Sequence, residues 1–202
     1  MRRFLLGTIM LFFVVLSASI ISNPEQVQAA NVSLSTTVLY YLDFAINTGA
    51  SVPFGNLQPG TPISGPSSGT ITTVTTNAAN GYTIVVSDGS DTNSAMAQGG
   101  TYIADYAGTI TTPTTWTGTG LGVTLFAADT TKESKWGTGT AYNDANNKYA
   151  GVPAGATVAH TVTGFPITSD TASWAFKIDV PNTQKTGAYT GNVVFSALPV
   201  LS

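Results

Sequence analysis

Asp88-Gly89-Ser90-Asp91-Thr92-Asn93 gathers side-chain oxygens within six residues, the donor type that a hard cation such as calcium takes. The run lacks the twelve-residue spacing and closing Glu of an EF-hand. It therefore reads first as a polar loop, with Asp88, Asp91 and Asn93 as the residues that would hold calcium in the alternative. His160 is the only histidine, within Ala159-His160-Thr161. A Ser-His-Asp triad would have to use it, yet the chain has no G-x-S-x-G elbow. H-E-x-x-H is absent, and with no cysteine the chain offers neither a zinc–thiolate site nor a thiol nucleophile. Glu133 is the only Glu beyond Ala29, and the Asp residues are scattered through turn-like stretches. Two glycosidase carboxylates facing one cleft are not expected from that distribution. Trp116, Trp136 and Tyr142 stand among glycines and could form a platform that stacks on sugar rings. The same rings could instead plug the open end of a β-fold. The expectation is a protein that is not an enzyme and carries no cofactor.

Composition says what must position such residues. The chain has 202 residues, enough for one domain with a sizeable core. Charged residues make up only 8%, against roughly 25% in an ordinary soluble protein. Thr, Ser, Asn and Gly must then carry the surface, and Thr favours strands. Disorder usually joins low hydrophobicity to high charge; this chain has neither, so a packed fold is expected. The formal net charge of −3 makes nucleic acid a poor partner.

At the N-terminus, Arg2-Arg3 precede an apolar run from Phe4 to Ile21, then a polar stretch and Val27-Gln28-Ala29. Basic, apolar and small-residue regions in that order predict a secretory signal peptide over 1–29, read as Sec export and cut after Ala29. A retained membrane anchor is the alternative, because about eighteen residues is near the lower limit for spanning. The mature chain, 30–202, is then expected at the cell surface or outside the cell, with the membrane touched only by the signal segment.

Period-2 patterns follow. From Val32 to Ile46, the apolar Val32, Leu34, Val38, Tyr40, Leu42 and Phe44 share one face, which predicts a long N-terminal strand over 30–46. That strand has two readings: the first strand of the chain's own fold, or a donor strand that completes a neighbour's sheet. Ser51–Gly60 predicts a short strand ending in a Pro59-Gly60 turn, and Thr61–Ser68 a polar linker. Thr70–Asp88 places Asn80-Gly81 between two Thr/Val/Ile runs and predicts a β-hairpin. Gly108–Thr111 and Leu121–Phe126 are strand candidates inside an irregular insertion over 100–150. Val158–Val162, Trp174–Val180 and Tyr189–Leu198 complete eight to ten short strands with no credible helix. The expected fold is all-β: a single antiparallel β-sandwich of the immunoglobulin-like, Greek-key kind.

Three stretches in order, Val52-Pro53-Phe54-Gly55-Asn56-Leu57-Gln58-Pro59-Gly60, Thr75-Thr76-Asn77-Ala78-Ala79-Asn80-Gly81-Tyr82-Thr83 and Gly187-Ala188-Tyr189-Thr190-Gly191-Asn192-Val193, resemble secreted bacterial surface β-sandwich proteins. The layout is similar to WxL-type cell-wall-binding domains and to fimbrial or matrix-fibre subunits. The final strand, Asn192 to Leu198, has no Trp-x-Leu pair, so no wall-binding residues carry over. The signal segment, the single sandwich, the Thr-rich low-charge surface and the long N-terminal strand lead to the expectation of a non-enzymatic surface structural protein, a pilus-like or matrix filament subunit that self-associates or joins other surface proteins. The alternative is a module that binds cell-wall polysaccharide through Trp116, Trp136 and Tyr142.

Overall fold

A computed structural model of the chain describes residues 31–89 and 95–201. The expected signal peptide, 1–29, lies outside the described residues, as do Asp91 and Asn93 of the calcium alternative. The chain divides into two compact units, Met1–Val38 and Leu39–Ser202. Of the first, residues 31–38 are described; they form no strand or helix and are exposed.

Among the described residues all strands belong to the second unit, and there is no α-helix, only a 3-10 turn at Ser134–Trp136. The strands are β1 (Leu42–Thr48), β2 (Ile63–Thr76), β3 (Gly81–Ser87), β4 (Met96–Gln98), β5 (Thr101–Ile103) and β6 (Thr114–Thr115). They continue as β7 (Gly120–Ala128), β8 (Lys148–Gly151), β9 (Thr157–Thr163), β10 (Asp170–Asp179), β11 (Thr190–Gly191) and β12 (Val194–Pro199). The protein is all-β. A six-stranded sheet runs β1-β2-β10-β7-β8-β6, and two three-stranded sheets run β12-β3-β9 and β11-β4-β5. All paired strands are antiparallel.

Several expected elements are corrected. The Thr70–Asp88 hairpin is not one: β2 pairs with β1 and β10, while β3 pairs with β12 and β9. Asn77–Gly81 is instead an arch that carries the chain from the large sheet to a small one. The reason is a tertiary contact. Gly81 takes φ +86°, and a Cβ there would lie 2.0 Å from the Val162 carbonyl oxygen, so the turn is seated against β9 rather than against β2. The arch lets alternating residues of both strands face the same core instead of lying side by side in one sheet. The N-terminal strand starts at Leu42, not residue 30: Val32 to Tyr41 belong to no strand. Ser51–Gly60 keeps its turn, with Thr61 N–H donating to the Gln58 carbonyl, but forms no strand. The supposed linker Thr61–Ser68 is largely β2, and Gly108–Thr111 is a turn closed by reciprocal Thr109 and Thr112 backbone bonds. The last strand is cut in two, because β11 joins β4 and β12 joins β3. Gly191 marks the break; any Cβ there would collide with the Ala95 carbonyl.

The core joins the large sheet to the β12-β3-β9 sheet. Val74, Val123, Leu125, Trp174 and Phe176 come from the first, and Tyr82, Ile84, Val86, Val162 and Phe195 from the second. Phe195 meets Trp174 at 5.2 Å and Phe176 at 6.4 Å between ring centres. Thr was expected at the surface, yet the inward row of β2 reads Thr70, Thr72, Val74, Thr76, all buried. Each hydroxyl is satisfied, as burial demands. Thr70 donates to the Gly49 carbonyl, Thr76 to that of Tyr41, and Thr72 takes the Trp174 indole N–H while donating to the Ala172 carbonyl.

Candidate functional site

The polar residues singled out for chemistry are placed in ways that remove most of it. Asp88 is buried at the end of β3, its N–H donating to the Pro153 carbonyl. No cluster of three or more His, Cys, Asp or Glu forms a cation site among the described residues. His160 on β9 is fully buried, with Nδ1 2.8 Å from Glu133 Oε2 and Nε2 3.5 Å from the Thr130 hydroxyl. The only His and the only Glu beyond Ala29 therefore meet, a contact that composition and spacing did not reveal. The order hydroxyl–imidazole–carboxylate is that of a triad. A substrate, however, cannot reach an imidazole with no exposed surface, and neither large groove of the molecule is lined by any of the three.

What the arrangement does is hold a loop. Glu133 Oε1 also accepts the Thr161 N–H at 2.8 Å, so one carboxylate ties the 129–136 segment to β9 at two points. Burial alone would raise the Glu133 carboxyl, but the hydrogen bond and electrostatic attraction from His160 and backbone N–H donors outweigh it and hold the group below its ordinary range. Trp136, two residues on from Ser134, then inserts into the core and donates its indole N–H to the Ala159 carbonyl.

The aromatic platform is not assembled. Trp136 is wholly buried against Trp174, with ring centres 6.1 Å apart. Trp116 is half-buried, stacked on Tyr106 at 4.3 Å and set edge-on to Tyr149, with the Lys177 ammonium 5.4 Å from its centre. Tyr142 is half-buried in the loop beyond, and no ring contact joins any two of the three. Trp116 and its neighbours cover the Lys177 side of β10, which explains why that strand is buried on both faces: Ala175 and Asp179 are inside as well as Trp174, Phe176 and Ile178.

The donor-strand residues are placed differently. Leu42 and Phe44 are half-buried in β1 and pack on the core. Val32, Leu34, Val38 and Tyr40 are 82%, 89%, 81% and 66% exposed, and Leu39 and Tyr41 are exposed too. Asn77, from the arch, holds the chain just before β1: its side chain accepts the Tyr41 N–H and donates to the Leu39 carbonyl, and its own N–H donates to the Tyr41 carbonyl.

At the other end of β1, two adjoining grooves open beside the core. One, of about 370 Å³, is lined by Ile46, Val52, Phe54, Val193 and the buried Phe176 and Phe195. The second, of about 760 Å³, shares Val52, Phe54, Met96 and Tyr189 with it and continues over Ile103 and Ile178. Sequence reasoning missed this trough, because it is framed by the strandless 51–57 stretch and the β11–β12 break. The chain matches no family model, no curated protein and no solved structure.

Proposed function

We propose that this chain is a secreted, non-enzymatic structural protein of the cell surface, a filament subunit that assembles by β-strand addition. Its body is an antiparallel β-sandwich of Greek-key character, exported by the 1–29 signal peptide. The observation that carries the reading is the stretch Val32–Tyr41. Six large apolar side chains in ten residues stay in water on a chain of strand-forming composition, at a large solvation cost that a second sheet would remove. β1 and β12, each at the edge of its sheet, present unpaired backbone groups of the kind that recruit another strand. The full burial of His160 and Trp136 weighs against readings that need either side chain at the surface.

Size-exclusion chromatography with negative-stain microscopy of the mature chain tests this, beside a variant carrying Val32→Ser, Leu34→Ser, Val38→Ser and Tyr40→Ser. Filaments or large particles are expected from the first and a monomer of unchanged melting temperature from the second. An intact chain that stays monomeric, or a variant that assembles equally well, would overturn the proposal.

A further inference from the structure

Strand addition needs an acceptor as well as a donor, and the two ends of β1 differ in a way that supplies one. We infer that residues Val32–Tyr40 of one copy insert into the trough beside Val193 of a second copy and pair with the free edge of β12, so that subunits join head to tail; this rests on the strand-addition reading above.

The placement follows from the register. β1 begins with Leu42 opposite Thr76 and ends with Thr48 opposite Ile71. Asn77 anchors Leu39 and Tyr41 at the beginning of β1. The trough lies past the end of β1, where Ile46, Gly49 and Thr70 line it. The six-residue offset between the two sites along β1 is about 20 Å at strand rise. Donor exit and acceptor therefore sit at opposite ends of one strand. Two different patches that meet on neighbouring copies make a heterologous contact, and such a contact propagates into a ring or a filament instead of closing as a two-fold dimer.

The acceptor has the right chemistry on both counts. Its walls are mixed: Val52, Phe54 and Met96, half-buried, with Phe176 and Phe195 reaching it from the core, supply apolar surface, and Ser51, Thr70, Thr190 and Asn192 supply polar surface beside it. Its rim includes the start of β12, which is paired to β3 on one side only. β12 has six residues, about 20 Å of ladder, and the nine residues Val32–Tyr40 extend to about 30 Å. The donor is therefore long enough for that edge and still leaves residues to bridge the gap. Alternation puts Val32, Leu34, Thr36, Val38 and Tyr40 on one face, toward the trough, and Ser33, Ser35, Thr37 and Leu39 on the other, toward water. The donor stretch Val32–Tyr40 contains no charged residue, so burying it strands no ion.

A cysteine-free chain makes the test clean. Leu34→Cys is placed in one mature copy, and Val193→Cys in a second that also carries the four serine substitutions of the donor. The two are mixed and treated with a short bis-maleimide. The comparison copy, with the same silent donor, carries Thr163→Cys on β9, the opposite free edge of the same small sheet. Tags of different size identify the mixed product. The expected result is mixed cross-linking at least tenfold stronger at Val193 than at Thr163. Equal cross-linking at the two sites, or a preference for Thr163, would overturn the acceptor assignment. So would absence of cross-linking at Val193 in a protein whose filaments the serine variant abolishes; strand addition would then stand with a different acceptor. If the intact chain forms no filaments, strand addition itself fails, and this inference fails with it.

Discussion

Val32–Tyr40 and Tyr82–Val86 are written in the same period-2 pattern and have opposite fates. Tyr82, Ile84 and Val86 are fully buried in β3, while Val32, Leu34, Val38 and Tyr40 are exposed and unpaired. Alternation measures the capacity to be a strand with one apolar face; it does not name the partner that covers that face. β3 obtains its cover because the Asn77–Gly81 arch turns it across the core, with β9 and β12 on either side. The N-terminal stretch has no such arch. It ends in a clamp to Asn77, and its apolar side chains stay exposed.

The sharpest way to break that comparison is to truncate the matching side chains. Ile84→Ala removes a side chain from a packed site and should cost about 2–5 kcal/mol, whereas Leu34→Ala should change stability by less than about 0.5 kcal/mol. Urea unfolding of the two variants under non-assembling conditions measures both. Equal losses would mean that Leu34 is covered within its own subunit. A smaller effect is expected from the polar end of the same strand. The Tyr82 hydroxyl donates to Asp170 Oδ2 at 2.8 Å, and burial first, then the Asp170 carboxylate, push the phenol well above its ordinary range. Tyr82→Phe takes the donor from a buried carboxylate at no cost in ring packing. It should destabilise by about 1–3 kcal/mol in the same assay, and a neutral outcome would show that Asp170 finds another partner.

How much of this was legible follows from where the information sits. Strand capacity is local, so β3, β7, β9 and β10 are readable from alternation and Thr/Val/Ile content. Sheet membership is not local. Asn80-Gly81 permits a positive φ in a hairpin and in an arch alike, and only the seat of Gly81 against Val162 decides between them. The same limit cut Tyr189–Leu198 in two, since the close approach of Gly191 to Ala95 is a tertiary fact. Buried Thr70, Thr72 and Thr76 defeat a composition argument because their hydroxyls are satisfied by carbonyls and an indole far along the chain. Of the candidate site, the donor residues were visible as a pattern. The trough was not, because it is made by stretches that lack one.

The Glu133–His160 contact gives the mildest test, on the side of the molecule that the assembly reading leaves alone. Glu133 is held below the ordinary carboxylate value of 4.5 because the His160 and Thr161 donors outweigh its burial. A folded-state value below the unfolded one means that the unfolded chain binds more protons as the solution is acidified. The stabilisation is therefore present above about 4.5 and is lost as pH falls through the folded value. The melting temperature of the mature chain should drop through that acid range, and that of Glu133→Gln should drop less steeply. The difference should be the smallest of the set, since the Glu133 side chain is 28% exposed and partly screened by water. Parallel curves for the two proteins would mean that the 129–136 loop is held by Trp136 in the core and owes nothing to the Glu133–His160 contact. A separation confined to acid pH, with filaments formed equally by both, would place loop anchoring and strand addition in independent parts of the molecule.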